Sequence, residues 1–387
     1  MRKPGRLVLA VFVDGLGWEV LRGRRFLDDL LPHRFPMATM FGYSSTCDPT
    51  ILTGRLPREH GHFSSFFYAP EASPFRPWRA LGLLPASFAD RGLVRRWISR
   101  AVCAAHGYDG YFQLYAIPFR HLHLFDYAEK RDIYRPGGIL GGQPTVFDRL
   151  RAAGLPFSVS DWRRSEAENL EEARRRAGEG EVALAWVFLG GLDGVLHATG
   201  TRSPAVDRHL ATCEERLRAI VAAARDRYAE VRVHLFSDHG MTDVTDTCDL
   251  VARVERTGLG FGTDYVAMYD STMARFWFPR PGARERVLEA LSGERRGRVV
   301  TEAELAAWGC DFPGHRYGEV YFLLDPGVLL CPGFMGARPI PGMHGFDPAD
   351  ARSVAAYLTN AEDSPRPGSL TDLHDLVLRE AGVGEPR

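Results

Sequence analysis

Two strand-like segments, each followed within two residues by an aspartate, constrain the fold of this chain most strongly. Residues 7–13 form an uninterrupted run rich in Val and Leu, and Asp14 follows it directly. Residues 230–236 alternate between polar and apolar and then become fully apolar, and Asp238 and His239 stand just beyond them. Runs of this kind are typical of strands inside a sheet. Because ligands of open α/β sheets bind beyond the carboxyl ends of the strands, both segments predict a site at that edge.

The rest of the chain repeats the alternation of strand and helix. Further strands are predicted at 157–160 and 182–189, and helices at 145–153, 166–177, 204–228, 349–357 and 370–380. This order favours an α/β fold with a mostly parallel central sheet.

Composition and charge exclude several classes of protein. The 387 residues are 45% hydrophobic and carry a formal net charge of -1, so we expect no nucleic acid duplex and no membrane surface among the partners. The first apolar run is too short for a signal segment or a membrane span. Six scattered cysteines without a CxxC pair predict free thiols in a reducing compartment. We therefore expect a cytoplasmic protein, of an oligomeric state that the sequence does not fix.

Two regions depart from the α/β rhythm. Residues 62–142 are crowded with aromatic and arginine side chains, and they predict an insertion that lies over the sheet as a substrate cap. A packing elaboration or an oligomer interface is the alternative. Strand patterns at 265–278 and 318–324 predict a smaller appended subregion over 250–340. No linker separates the chain into halves, so we expect a single catalytic domain over residues 1–387 with these two elaborations.

A hydroxyl-rich segment, Tyr43-Ser44-Ser45-Thr46-Cys47-Asp48-Pro49, predicts a loop that enters a short helix with Pro49 near its first turn. A serine at a helix N-terminus faces free backbone N–H groups and the positive end of the helix dipole. A phosphate-like anion can bind there. An ordinary serine N-cap fits the same pattern equally well.

Carboxylate and imidazole residues collect at the predicted strand ends and loops. They are Asp14, Asp193, His197, Asp238, His239 and His344. Asp193 and His197 are four residues apart, so a single turn after the strand brings both to one ion. Six nitrogen and oxygen ligands suit two zinc-like ions, three for each, with positions left for substrate and nucleophile. Manganese and iron are alternatives for the same ligands.

These motifs and their order along the chain resemble those of the alkaline phosphatase superfamily. Within it they are most similar to the type I phosphodiesterase and nucleotide pyrophosphatase branch. The resemblance is carried by Asp14-Gly15, by the hydroxyl residue ahead of Thr53-Gly54, by Asp193-x-x-x-His197, by Ser237-Asp238-His239-Gly240 and by Gly342-x-His344-Gly345. It spans residues 14–344. It implies a three-layer α/β/α sandwich with a mostly parallel central sheet and an inserted cap.

The same resemblance implies a two-metal phosphoester hydrolase. One ion would be held by Asp193, His197 and His344, and the other by Asp14, Asp238 and His239. Ser44 would attack the phosphorus in line and form a phosphoseryl intermediate. The expected substrate is a small phosphoester, for example a nucleotide-linked one. The alternatives are a phosphomonoesterase or phosphotransferase of the same superfamily, or a catalytically silent relative that binds a metabolite.

The chain departs from the family at the nucleophile loop. The diesterase branch usually shows Thr-x-Pro-Asn where this chain has Ser44-Ser45-Thr46-Cys47. Cys47 therefore replaces an Asn that helps to hold a phosphate oxygen, and we assign it to substrate binding as a weak donor. Ser45 and Thr46 are alternative nucleophiles at a shifted spacing. A sulfatase signature at Cys47 fails because Ile51 stands where an arginine is required.

Overall fold

The computed structural model describes residues 5–85, 88 and 91–384. Its strands, numbered along the chain, are β1 Arg6–Val13, β2 His33–Met37, β3 Phe66–Tyr68, β4 Phe125–Tyr127, β5 Phe157–Val159, β6 Leu184–Leu189, β7 Glu230–Phe236, β8 Thr242–Asp243, β9 Asp246–Cys248, β10 Val266–Tyr269, β11 Met273–Trp277, β12 Gly297–Val299, β13 Val320–Leu324, β14 Val328–Leu330, β15 Gly342–Met343 and β16 Ala355–Thr359. The α-helices are Trp18–Leu21, Ser44–Thr53, Pro57–His60, Gly92–His106, Phe119–Leu122, Val146–Ala152, Glu166–Glu179, Gly191–Thr199, Pro204–Arg227, Leu250–Glu255, Ala283–Ser292, Glu302–Ala307 and Asp372–Glu380, with 3₁₀ turns at Arg76–Leu83 and Pro313–His315. Within these ranges, no helix combines the length and the apolar character that crossing a membrane requires.

A six-stranded sheet lies at the centre of the molecule, in the order β2-β16-β7-β1-β6-β5. β1 pairs in parallel with β7 on one side and with β6 on the other, and β5 continues the parallel set. β16 is antiparallel to both of its neighbours. The carboxyl ends of β1, β6 and β7 therefore meet at one edge of the sheet.

Helices cover both faces of this sheet because the residues of β1 alternate between two hydrophobic clusters. Leu7, Leu9, Val11 and Val13 pack with the helices Glu166–Glu179 and Pro204–Arg227. Val8, Ala10 and Phe12 pack with the helices Ser44–Thr53, Val146–Ala152 and Asp372–Glu380. The predicted α/β class, a three-layer sandwich around a mostly parallel sheet, is confirmed.

One predicted helix is wrong. The segment 349–357 is expected to be helical, but Ala355–Thr359 is strand β16, which pairs antiparallel with β7. Every residue of β16 is buried, since Ala356 and Leu358 point to one face of the sheet and Tyr357 points to the other. A short apolar run buried on both faces does not reveal its period, so the tertiary pairing decides its structure.

The nucleophile loop also differs locally from the prediction. Ser44 is already the first helical residue, so Pro49 lies inside the helix Ser44–Thr53 and not near its first turn. Proline lacks an N–H group, so the carbonyl of Ser45 loses its usual partner within the helix.

A second, antiparallel sheet has the order β10-β11-β13-β12. The hairpin of β3 and β4, which belongs to the predicted insertion, packs on this sheet, and both share one hydrophobic cluster that includes Phe66, Phe125 and Phe276. The segments 62–142 and 250–340 therefore form one core together. The bounds of these two segments stay predictions. Positions 86–87 and 89–90 of the insertion are outside the described residues.

A fully buried arginine ties these two segments together. Arg275 on β11 donates Nε to Asp270 Oδ2 at 2.7 Å and Nη2 to Ser64 Oγ at 2.8 Å. It also donates to the carbonyls of Phe66 and Tyr317 at 3.1 and 2.9 Å. Because Asp270 and Ser64 both line the main cleft, this network fixes part of the cleft wall.

Replacing Arg275 with Met should destabilise the fold by about 3–5 kcal/mol, because Asp270 would stay buried without its counter-charge. Urea denaturation followed by circular dichroism measures this change. Arg58→Met is the matched control, since Arg58 pairs with Asp311 at the surface. Similar small shifts for both variants would show that the buried pair is not structurally important.

Candidate metal centre

The pairing of β1 with β7 brings the first pair of acidic residues together. Phe12 lies opposite Phe236, so Asp14 and Asp238, each two residues further along, emerge at the same edge. Asp238 is fully buried, and its Oδ1 accepts a hydrogen bond from the backbone N–H of Gly15 at 3.1 Å. Its carbonyl accepts a second bond from Thr39 Oγ1 at 2.6 Å. These bonds hold Asp238 in one orientation.

Asp193, His197 and His344 form one group of ligand atoms, all within 4.8 Å of one another. The first two lie on the helix Gly191–Thr199, which follows β6, and His197 Nε2 is 3.3 Å from Asp193 Oδ2. His344 follows β15, and its Nε2 is 3.8 Å from Asp193 Oδ1. The pairing of β15 with β8 holds this loop beside the segment that leaves His239.

A second group within 4.8 Å consists of Asp14, Asp193 and His239. His239 Nε2 lies 3.5 Å from Asp14 Oδ1 and 2.9 Å from Asp238 Oδ2. Asp193 belongs to both groups, and the rings of His239 and His344 stack with 3.6 Å between their centroids. All six predicted ligands therefore lie in one centre, but among the described residues the second group contains Asp193 in the place predicted for Asp238. Their roles as ligands stay a prediction.

The donor atoms of this centre suit divalent cations. Nδ1 of His197 and of His239 bonds to the carbonyls of Gly342 and Gly240 at 2.8 and 2.9 Å, which leaves each Nε2 available to an ion. Among the described residues, the buried oxygens Asp14 Oδ1 and Asp193 Oδ1 have no hydrogen-bond partner. A tetrahedral zinc ion separates nitrogen and oxygen ligands by about 3.4 Å, close to the spacings found here.

The charges of the centre are strongly coupled. Burial and the neighbouring carboxylate of Asp238 raise the pKa of Asp14 well above its usual value. Burial also acts on Asp193, but the hydrogen bond from His197 and the charge of His344 outweigh it and lower the pKa of Asp193. Carboxylates this close repel one another, and a bound dication would remove that repulsion.

Of the three neighbouring hydroxyl residues, Ser44 faces the predicted ligands. Its Oγ lies 3.1 Å from His239 Nε2. Ser45 Oγ is 3.0 Å from the carbonyl of Phe63, to which it donates, and the buried Thr46 donates to the same carbonyl. The hydroxyls of Ser45 and Thr46 are therefore held away from the centre by backbone bonds.

The structure does not bring Cys47 to the cleft. Its side chain is 1% exposed and packs in the cluster beneath the sheet, with Sγ 3.6 Å from Thr39 Oγ1. Burial raises the pKa of this thiol. In a helix, the residue on the same face as Ser44 is four positions on, which is Asp48, and Asp48 lines the cleft.

A cleft of about 710 Å³ extends outward from Ser44 and the predicted ligands. The region 62–142 supplies much of its wall, including Ser65, Tyr111, Tyr115, Glu129, Arg131 and Tyr134. Trp162 and Arg164, which come after this region in the sequence, also line the cleft. The cleft is large enough for a drug-sized or nucleotide-sized ligand.

Sequence reasoning missed two carboxyl groups of this cleft. Burial raises the pKa of Glu129 to about 7, and Ser65 Oγ donates to its Oε2 at 2.9 Å. Burial and the charge of Asp238 raise the pKa of Asp48. The helical spacing from Ser44 could have revealed Asp48. Glu129 has no local signal, because only the packing of 62–142 brings it to the cleft.

This fold and the convergence of these motifs define a protein of the alkaline phosphatase superfamily. A model of the family described as type I phosphodiesterase / nucleotide pyrophosphatase matches residues 8–347. The chain belongs to this family, and the resemblance predicted from its motifs is confirmed.

Solved structures of relatives cover the whole chain. Murine ectonucleotide pyrophosphatase / phosphodiesterase 5 is 16% identical, with a TM-score of 0.68, over 100% of this chain and 96% of that one. The human counterpart is 15% identical at the same TM-score and coverage. An inactive variant of the murine protein in complex with AMP gives a TM-score of 0.67 at 16% identity and the same coverage. At these identities the likeness shows the fold. No curated protein sequence matches the chain.

Asp238→Ala should lower the metal content by about one ion per chain relative to the unmodified protein, because a cation that loses one of three ligands binds weakly. Elemental analysis after reconstitution with zinc and dialysis measures this. Asp246→Ala is the control, since Asp246 is an exposed residue of β9 that pairs with Arg296. Equal metal contents in all three proteins would exclude Asp238 as a ligand.

Proposed function

We propose that this protein is a two-metal phosphoester hydrolase with Ser44 as its nucleophile. The observation that carries this proposal is the place of Ser44 Oγ, 3.1 Å from His239 Nε2 at the inner end of the cleft. Ser44 is also the first residue of a ten-residue helix. The positive end of the helix dipole favours the phosphate group that Ser44 would attack.

In the proposed reaction, Ser44 Oγ gives its proton to solvent and forms a bond to phosphorus, while the bond from phosphorus to the leaving oxygen breaks and that oxygen takes a proton from solvent. Two cations held by the six ligands would lower the pKa of the hydroxyl and neutralise the charge on the phosphoryl group. The fixed orientation of His197 and His239 keeps the ligand geometry constant through this step. Water then cleaves the phosphoserine, and Ser44 recovers its proton.

A phosphodiester or a pyrophosphate is the preferred substrate class in this proposal. A phosphomonoester carries a charge of about -1.5 to -2 at pH 7, whereas a diester carries a single charge. Burial raises the pKa of both Asp48 and Glu129, so the part of the cleft that they line disfavours additional negative charge. The cleft also has room for a second ester group.

A nucleotide-linked substrate fits the outer part of the cleft. Tyr111, Tyr134 and Trp162 offer aromatic faces on which a base can stack, and Arg131 and Arg164 offer cations for a second phosphate. The murine relative whose inactive variant was solved with AMP supports the same class. The region 62–142 would then act as a substrate cap. Zinc as the metal and the cytoplasmic location stay predictions.

Ser44→Ala should lower the chemical step by several orders of magnitude, because no phosphoseryl intermediate can form. Folding and metal content should stay near those of the unmodified protein, since one hydroxyl contributes little to the core. Single-turnover hydrolysis of bis-p-nitrophenyl phosphate measures the effect, and elemental analysis checks the metal. Ser45→Ala is the matched control and should retain activity. An active Ser44→Ala protein beside an inactive Ser45→Ala protein would move the nucleophile by one residue.

Turnover of bis-p-nitrophenyl phosphate should exceed that of p-nitrophenyl phosphate at pH 8, because the monoester brings a second charge into the cleft that Glu129 lines, and Glu129, with a pKa raised to about 7, is mostly ionised at this pH. Comparison of kcat/KM at pH 8 tests this. In Glu129→Gln, the ratio of diester to monoester turnover should fall, because this negative charge on the cleft wall is removed. A faster monoester reaction in the unmodified protein would instead support a phosphomonoesterase of the same superfamily.

A further inference from the structure

A second cluster of metal-ligating side chains lies outside the centre described above. It consists of Glu166, His209 and Cys213, whose ligand atoms are all within 4.8 Å of one another. Glu166 begins the helix Glu166–Glu179, and the other two residues lie four apart on the helix Pro204–Arg227. An i, i+4 pair on one helix face and a carboxylate from the neighbouring helix can point at one ion.

Two of the three distances within this cluster match those around a tetrahedral zinc ion, and the third is below 4.8 Å. His209 Nε2 is 3.3 Å from Glu166 Oε1, and Cys213 Sγ is 3.5 Å from the same oxygen. Bond lengths typical of zinc separate nitrogen from oxygen by about 3.4 Å and sulfur from oxygen by about 3.6 Å. His209 Nε2 is a buried atom, and despite its contact with Glu166 it makes no hydrogen bond within the described part of the chain.

The chemistry of the cluster is that of a zinc site, not of a nucleophile. The side chain of Cys213 is 1% exposed, so a substrate cannot reach the thiol. Burial and the charge of Glu166 raise its pKa, which keeps the sulfur protonated until an ion displaces the proton. The side chains of Glu166 and His209 are each 19% exposed, so water can reach a fourth position on an ion.

The cluster also adjoins the helix that carries two predicted ligands of the main centre. Glu166 Oε2 accepts a hydrogen bond from the N–H of Gly191 at 2.9 Å, and Gly191 is the first residue of the helix Gly191–Thr199. A Cβ atom at Gly191 would lie 2.7 Å from Glu166 Oε2 and 2.7 Å from His209 Cε1. The backbone at this position therefore packs directly on the cluster.

We infer that Glu166, His209 and Cys213 form a third metal site, which binds one thiophilic divalent cation such as zinc and fixes the start of the helix Gly191–Thr199. Glu166 Oε1, His209 Nε2 and the Cys213 thiolate would be its ligands. The soft sulfur ligand distinguishes this site from the main centre, whose predicted ligands are nitrogen and oxygen only.

Cobalt substitution tests the site independently of activity. Metal is removed from the full-length protein with a chelator, and the protein is then titrated with Co²⁺. The thiolate-to-cobalt charge-transfer band in the near ultraviolet is recorded. We expect this band in the unmodified protein, with a final intensity that corresponds to one thiolate-bound cobalt ion per chain. Ser44→Ala should show the same band, so a failure of the proposed hydrolase function would leave this result unchanged.

Cys213→Ser should abolish the band and lower the bound cobalt by about one ion per chain. Cys103→Ser is the matched control, because Cys103 lies on the helix Gly92–His106 and should leave the band intact. If Cys213→Ser does not fold, His209→Ala, which keeps the thiol but removes one ligand, should weaken cobalt binding at this band by at least tenfold. Absence of the band in the unmodified protein, or its persistence at full strength in both variants, would overturn the inference.

Discussion

Three carboxylates that would repel one another in isolation lie at one edge of the central sheet. Asp14, Asp193 and Asp238 are held there by the parallel pairing of β1 with β6 and β7, which places the ends of these strands side by side. Such a concentration of buried negative charge is stable only with a counter-charge. Imidazoles supply part of it, and cations bound at the unpartnered carboxylate oxygens of Asp14 and Asp193 would supply the rest.

The wall of the cleft depends on a different charge, the buried guanidinium of Arg275. This group joins the second sheet to the loop at Ser64 through bonds to a carboxylate, a hydroxyl and two carbonyls. The loop continues into Ser65, which bonds to Glu129 inside the cleft. The shape of the cleft near Ser44 is therefore set by residues of both appended segments and not by the central sheet alone.

The sequence is most informative where function follows directly from a strand end. Asp14 and Asp238 can be located because each follows an apolar run, and such runs identify buried strands in a parallel sheet. Glu129 cannot be located in this way, because the irregular insertion that contains it has no periodic pattern from which its fold can be predicted. Cys47 shows another limit, since a position in a motif does not fix the direction of the side chain in a helix. The cluster of Glu166, His209 and Cys213 is not predicted from the sequence, because its first two members are 43 positions apart.

Asp193 belongs to both groups of ligand atoms in the main centre, with His197 and His344 in one group and with Asp14 and His239 in the other. Two ions bound at these two groups would both contact Asp193 and would be thermodynamically linked, so each would change the affinity of the protein for the other by the same factor. Partial removal of metal would then give a mixture in which the remaining ion is held with altered strength. The protein with one ion bound would therefore not behave as half of the two-ion centre.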